Sequence, residues 1–132
     1  MTLARKTKKT VSPITAVALK VLDRKGLEPK VLHVTKYCSY ADYFVFVTAT
    51  SSTHAQSIAN AVIQDFATSD SKIEGYQKGE WIIVDLGDIL VHVFQKHARE
   101  FYNLDKLWSH ASQVSNAKLG IPSEPFARAS TL

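Results

Sequence analysis

Cysteine is nearly absent from this sequence of 132 residues, which contains only Cys38. A single thiol cannot form an internal disulfide or a CxxC metal site, and such cysteine usage is typical of a reducing compartment. Long apolar runs are missing as well, since none approaches the roughly 18 to 20 residues of a membrane-spanning helix. No long apolar stretch follows Met1. We therefore expect no membrane span, no secretory signal and a cytoplasmic location.

Charge is distributed unevenly, although the total is only +4 at pH 7. Residues 1–29 carry seven basic and two acidic side chains, whereas residues 30–110 carry seven basic and nine acidic ones. The core is therefore mildly acidic, which suits a basic protein partner better than a phosphate backbone. Residues 1–11 are predicted to be a disordered basic leader. Because this leader is very short for a transit peptide, an organelle is only the alternative location.

Hydrophobic periodicity predicts the element order α-β-β-α-β-β-α and one α/β domain, with a single mixed β-sheet flanked by helices. The length and the 45% hydrophobic content suit one globular domain. The predicted elements are a helix from Ser12-Pro13 to Gly26, strands at 31–35 and 42–50, a helix from 51–53 to about 68, a hairpin at 81–94 and a helix at 97–102, with a separate turn through 108 left open as its continuation. The domain is expected to span residues 12–109 and to be followed by a flexible C-terminal tail, residues 110–132.

The hairpin and the segment after it are predicted to form the centre of the fold. Residues 81–84 and 89–94 are β-branched and apolar, and they flank an Asp/Gly turn. Because both runs are apolar at successive positions, both faces of the hairpin are expected to be covered. Phe101, Leu104 and Trp108 follow at a spacing that should turn one helical face onto the sheet.

Acidic residues and histidines near the hairpin raise the question of a metal or phosphoryl-transfer site. Two carboxylates on one face of a strand need an even spacing, whereas Asp85 and Asp88 are three apart and straddle a turn. The alternative interpretation is that the two aspartates cap that Gly turn. With His92 and His97 they match no recognised ligand spacing, so no metal is expected. His92 lies in an apolar strand and is expected to be a hydrogen-bonded residue of the sheet or of an interface.

Ser51, Ser52 and His54 lie between a strand and a helix, where phosphate-binding loops often occur. This loop has neither glycine nor lysine, so helix capping is favoured, with Thr53 and Gln56 as a candidate capping box. No cofactor is predicted.

Trp81 begins its strand beside a charged residue, near an end or an edge of the sheet. A large aromatic side chain there is either packed under the preceding linker or exposed as a binding anchor, since tryptophan is enriched at binding hot spots. The residues alone leave both roles open. With no convincing catalytic set and no aromatic pattern interleaved with basic residues, they favour a binding protein over an enzyme or an RNA reader, without naming the partner.

Three motifs resemble the ribosome silencing factor (Iojap-like) family. Residues 41–54 resemble its D-Y-F-V…T-S-x-x-H segment, and residues 80–94 resemble its hallmark W-I-V-x-D-x-G-D…V-H-V-F. Residues 99–108 match its closing R-x-x-Y-x-L-x-x-L-W. The resemblance covers about residues 12–109 in the right order and spacing, and it leaves the leader and the tail unexplained.

The resemblance implies a non-enzymatic translation repressor with a nucleotidyltransferase-like topology. Members bind ribosomal protein uL14 of the large ribosomal subunit and block its joining to the small subunit when nutrients are short. Organellar relatives act in assembly of the large subunit, so ribosome biogenesis is one alternative and a nucleotide-dependent transferase is another. A homodimer of the free protein and a minor contact of the basic leader with ribosomal RNA also stay open. The residues that match the family's uL14-binding positions are Trp81, Asp85, Asp88, His92, Arg99, Glu100 and Tyr102.

Overall fold

The computed structural model describes residues 12–120, and within them five helices and six strands follow one another. The helices are α1 (Pro13–Asp23), α2 (Ser52–Phe66), α3 (Lys96–Tyr102), α4 (Leu104–Leu107) and α5 (Asn116–Leu119). The strands are β1 (Leu27–His33), β2 (Tyr43–Ala49), β3 (Lys72–Glu74), β4 (Trp81–Asp85), β5 (Ile89–Gln95) and β6 (Ser112–Val114). In this part of the chain no helix has the length and apolar character to cross a membrane. The predicted leader, residues 1–11, and residues 121–132 of the predicted tail lie outside the described residues.

All six strands form one mixed sheet in the order β3-β4-β5-β2-β1-β6. β2 and β5 run parallel at its centre, and every other neighbouring pair is antiparallel. The two central strands are apolar and buried at almost every position because helices or loops cover both of their faces. The predicted α/β fold with a mixed sheet flanked by helices is confirmed.

One face of the sheet packs against α1, α2 and α5. These helices and the strands share a core of aliphatic side chains, to which α5 contributes Leu119. Lys20 of α1 and Asp65 of α2 add an ion pair of 2.6 Å between the two long helices. This face is the main hydrophobic core, and its helices keep it away from solvent.

The opposite face of the sheet is aromatic. Phe44, Phe46 and Phe94 are buried there, and Leu104 and Trp108 pack against them. The rings of Phe44 and Trp108 meet edge to face at 4.7 Å. The prediction that Leu104 and Trp108 face the sheet is correct, so the short helices α3 and α4 close part of this second core.

Helix capping follows the sequence signals only in part. Ser12 caps α1 as predicted, and its hydroxyl accepts a hydrogen bond from the Thr15 amide at 3.3 Å. At α2 the cap is Ser51, which accepts from the His54 amide at 3.0 Å, while His54 Nδ1 accepts from the Thr50 amide at 3.0 Å. The predicted capping box of Thr53 and Gln56 is therefore wrong, because the N-cap is Ser51 and the Gln56 side chain donates instead to the Tyr76 carbonyl oxygen at 2.8 Å.

Gly26 has a different role from the helix stop that was predicted. α1 already ends at Asp23, and the left-handed residue is Lys25, with φ 64°. A Cβ atom on Gly26 would lie 2.5 Å from Cγ2 of Val47 and 2.8 Å from Cγ1 of Val21. Glycine is required here because the chain passes directly against the core.

Two element boundaries differ from the prediction. β1 runs over Leu27–His33 rather than 31–35, and the irregular register between Leu27 and Lys30 accommodates Pro29. The predicted flexible tail is wrong for residues 112–120, since β6 pairs with β1 and Leu119 is only 3% exposed. Short elements of three and four residues carry little periodicity, so only their tertiary contacts define them.

Candidate functional site

Trp81 is the first residue of β4 and lies on the aromatic face, half-buried. Its ring stacks on Phe94 at 5.4 Å and contacts Tyr102 of α3 at 4.7 Å between centroids. Its indole Nε1 donates a hydrogen bond to Nδ1 of His92 at 3.2 Å. One side of the ring therefore packs on the domain, while the side chain as a whole is only half-buried.

His92 is buried under this tryptophan, with only 5% of its surface exposed. The rings of Phe44, Phe46 and Phe94 surround it at centroid distances of 5.3 to 5.9 Å. Burial among these rings lowers the pKa of His92 from 6.5 to about 4. The imidazole is therefore neutral at physiological pH and does not reach the surface.

Apolar side chains beside Trp81 are strongly exposed. Phe101 and Tyr102 at the end of α3 are 80% and 52% exposed, and their rings meet at 5.0 Å. Leu107 of α4 is 63% exposed. Phe101, Tyr102 and Trp81 thus form a continuous surface, which we call the aromatic ridge.

The expectation that Phe101 faces the sheet is wrong. Asn103 adopts a left-handed conformation, with φ 47°, and separates α3 from α4. This break changes the phase of the helical repeat, so Leu104 still faces the core while Phe101 points to solvent. The large exposed area of Phe101 was the feature of this surface that the sequence reasoning missed.

β4 extends the ridge into an open strip on the same face of the sheet. Ile83 and Asp85 follow Trp81 at alternate positions and are also half-buried, whereas Ile82 and Val84 are fully buried in the main core. The prediction that both faces of the hairpin are covered therefore holds for β5 and is wrong for β4. Four residues of strand place Asp85 about 13 Å from Trp81.

Asp85 and Asp88 lie at the two ends of the hairpin turn. Asp85 Oδ1 accepts a hydrogen bond from the Gly87 amide at 2.8 Å, which is the turn-capping role considered from the sequence. Asp88 is exposed, and its backbone oxygen accepts from the amides of Asp42 and Tyr43. Within residues 12–120 no group of three or more His, Cys, Asp or Glu side chains is placed to hold a metal ion.

Arg99 of α3 is used inside the fold. Its guanidinium forms two hydrogen bonds with the Asp105 carboxylate, both 3.0 Å, and its side chain is only 11% exposed. Nη1 also donates to the Glu28 carbonyl oxygen at 2.8 Å and to Oγ1 of Thr48 at 2.9 Å. Arg99 therefore ties α3 to α4, β1 and β2, while its neighbour Glu100 is exposed.

Asp105 receives a second cation from β1. Lys30 Nζ lies 2.9 Å from its Oδ1, in addition to the paired hydrogen bonds from Arg99. The hydrogen bond from Arg99, followed by that from Lys30, lowers the pKa of Asp105 from 3.8 to about 2 despite partial burial. This group is a structural ion-pair network.

The side chains around the loop before α2 form hydrogen bonds within the domain. His54 Nε2 lies 2.9 Å from the carbonyl oxygen of Arg24, and since Nδ1 accepts from Thr50, Nε2 carries the proton. His54 thereby links the end of α1 to the start of α2. Cys38 is buried in the aromatic core. The contacts of Ser51 and His54 support the capping role of this loop.

Comparison with known proteins identifies related sequences over most of the chain. A family described as "Ribosomal silencing factor during starvation" matches residues 7–131. The ribosomal silencing factor of Halalkalibacterium halodurans is 36% identical over 95 residues, which cover 70% of this chain and 81% of that protein. A mouse protein named "Mitochondrial assembly of ribosomal large subunit protein 1" is 33% identical over 85 residues, covering 60% of this chain and 37% of its own length.

A solved structure has the same fold. A crystal structure of a protein from Chromobacterium violaceum superimposes with a TM-score of 0.66 at 31% sequence identity. The match covers 73% of this chain and 83% of that one.

Proposed function

The chain belongs to the ribosomal silencing factor family, and from this premise we propose that it binds ribosomal protein uL14 of the large ribosomal subunit. Bound there, it sterically blocks association with the small subunit and represses translation under nutrient limitation. Steric exclusion needs no chemical step. We accordingly propose that the protein is not an enzyme and acts without a cofactor.

The observation that carries this proposal is the aromatic ridge. The Trp81 ring is held from behind by Phe94, the Tyr102 ring packs beside it, and Phe101 adds a ring that is 80% exposed. Large aromatic side chains with few rotatable bonds supply much contact area at a low entropic cost, and tryptophan and tyrosine dominate binding hot spots. We propose that the ridge is the centre of the uL14 contact.

Carboxylates lie on α3 and at the far end of the strip. Glu100 is exposed and precedes Phe101 in α3, and Asp85 lies at the far end of β4, with exposed Asp88 in the turn after it. Lys72 of β3 lies opposite Asp85, and exposed Lys96 and Lys106 lie on α3 and α4, so the surface also holds basic side chains. The carboxylates at the rim of this surface suit a basic ribosomal protein, because complementary charge speeds encounter and fixes orientation. We propose that Glu100, Asp85 and Asp88 act at this rim.

Two of the expected binding residues act from inside the domain. His92 is buried, and Arg99 makes four hydrogen bonds within the fold. We propose that both contribute to uL14 binding indirectly, by holding Trp81 and α3 in place.

A role in assembly of the large subunit is the second candidate, and the name of the mouse relative favours it. Because the same ridge would serve both roles, substitutions in it cannot separate them, whereas depletion of the protein from cells can. Accumulation of large-subunit precursors after depletion supports assembly. Excess joined ribosomes during starvation support silencing. A nucleotide-dependent transferase is disfavoured because the Asp85 carboxylate caps the hairpin turn. A rise in the melting temperature with Mg²⁺ and nucleotide would revive it.

The free protein offers the same apolar ridge to a second copy. We propose a homodimer that competes with uL14 binding, so added uL14 should convert dimer to a one-to-one complex in analytical ultracentrifugation. We also propose a cytoplasmic location and a minor contact of the basic leader, residues 1–11, with ribosomal RNA. Deleting the leader should then reduce the salt dependence of subunit binding, and an unchanged dependence would remove the RNA contact.

Two exposed apolar side chains on opposite sides of the sheet provide a test of the ridge with its control. Tyr102 is 52% exposed beside Trp81, while Leu19 is 38% exposed on α1, which packs on the other face of the sheet. Calorimetric titration of purified uL14 should show weakened binding for Tyr102→Ala and unchanged binding for Leu19→Ala. Equal effects of the two substitutions, or none from Tyr102→Ala, would contradict the proposed contact surface.

A further inference from the structure

The indole N–H of Trp81 is committed to a partner inside the domain. It donates to Nδ1 of His92 at 3.2 Å, across neighbouring strands β4 and β5. Ile83 is the direct cross-strand partner of His92, so Trp81 reaches the imidazole diagonally. With Phe94 stacked behind the indole and Tyr102 beside it, the ring is held on three sides.

The imidazole that accepts this hydrogen bond is unfavourable for folding stability at its buried position. Phe44 and Phe46 pack on it, and His92 Nε2 has no hydrogen-bond partner among the described residues. Since Nδ1 accepts a hydrogen bond, Nε2 carries the proton, and a buried N–H without an acceptor is destabilising. Phenylalanine would fill the same apolar space without that cost. The acceptor at Nδ1 is what histidine supplies and phenylalanine does not.

We infer that His92 is a positioning residue for partner binding, which holds the Trp81 indole in one orientation through its Nδ1 acceptor. This inference rests on the proposed function, in which Trp81 is the central anchor. A side chain that is already fixed in its bound orientation loses less conformational entropy on association, so its full contact area contributes to affinity. An indole without this acceptor turns about its side-chain torsions and also carries an unpaired N–H.

The test uses three substitutions in the full-length chain. His92→Phe removes the acceptor and keeps an aromatic ring, whereas His92→Asn places a carbonyl oxygen near the position of Nδ1. Trp81→Phe removes the N–H donor and keeps a ring. Val93→Ala is the control, because Val93 is buried in the main core on the other face of the sheet and its truncation destabilises the domain without touching Trp81.

Two readouts separate positioning from folding. The ¹⁵N–¹H resonance of the Trp81 indole, assigned with Trp81→Phe, reports the hydrogen bond without any ribosome present. The affinity for isolated large subunits reports how loss of this hydrogen bond affects partner binding. We expect His92→Phe to shift the indole resonance and weaken binding about tenfold, and His92→Asn to stay within about threefold of the original chain. In the Trp81→Phe background, His92→Phe should add less than about twofold.

Several results would overturn the inference. The inference is wrong if His92→Phe binds large subunits as tightly as the original chain, or if His92→Asn binds no better than His92→Phe. It is also wrong if the effects of Trp81→Phe and His92→Phe on affinity add fully in the double variant. An indole resonance that is unchanged in His92→Phe would also exclude the hydrogen bond. If the unsubstituted chain fails to bind large subunits, the proposed function falls first and the inference with it, and the indole resonance still shows whether the hydrogen bond exists.

Discussion

Acidification from pH 6.5 to pH 4 should destabilise this domain through one residue, His92. The unfolded chain binds a proton at this histidine near pH 6.5, whereas burial keeps the folded pKa at about 4. The unfolded state therefore binds more protons in this window, and stability falls as the pH falls. At about 1.4 kcal/mol per pH unit, the loss is about 3 kcal/mol, a large fraction of the 5 to 15 kcal/mol typical of a small domain.

Urea unfolding followed by far-ultraviolet circular dichroism at several pH values measures this loss. The variant His92→Asn cannot titrate, so the stability difference between it and the original chain should change by about 3 kcal/mol between pH 7 and pH 4. His97→Asn removes an exposed histidine and is the control. A stability difference that stays constant for His92→Asn across this window would refute the reasoning. Asp105 does not interfere with this measurement, because its contribution to folding stability is lost mainly as the pH falls from 3.8 through about 2.

Three further predictions concern the ridge and its support. Trp81→Ala should leave the domain folded by circular dichroism and weaken large-subunit binding by about 2 kcal/mol or more; loss of the folded signal would instead make Trp81 a core residue. Arg99→Ala should destabilise the fold by about 3 kcal/mol in urea unfolding, because it leaves Asp105 without its paired donors; a change below about 1 kcal/mol would contradict the structural role. Phe101→Ser should change the free energy of unfolding by less than about 0.5 kcal/mol and still weaken binding of uL14 in the calorimetric titration. An unchanged affinity for uL14 would remove Phe101 from the contact.

The parts of the fold that were predictable from sequence are those with local signals. Ser12 caps its helix through its own side chain, and the hairpin follows from two β-branched runs around a turn. The continuous apolar character of residues 89–94 correctly indicated a strand buried on both faces. In each case the determining interactions lie within a few residues of one another.

The parts that were missed depend on distant contacts or on one backbone conformation. β6 has only three residues, and it is a strand because β1, about 80 residues earlier in the chain, offers an open edge. The hydrogen bond from Arg99 to the Glu28 carbonyl spans 71 residues of sequence, so its structural role had no local signal. The left-handed Asn103 reversed the expected orientation of Phe101.

The candidate site shows the same division. The motif resemblance indicated Trp81 and Tyr102, and the structure places these two rings in contact at 4.7 Å. The resemblance could not distinguish exposed residues from buried ones, because both lie in the same short motifs. Burial separates them physically: Glu100 and Tyr102 are exposed, whereas His92 is only 5% exposed.

Sucrose-gradient sedimentation of purified ribosomal subunits, with and without this protein, tests the central proposal most directly. We predict that the protein migrates with the large subunit and that the peak of joined ribosomes disappears, while Trp81→Ala leaves that peak in place. Absence of the protein from the large-subunit fraction at micromolar concentration, or a joined peak that persists while the protein is bound, would contradict silencing by steric exclusion.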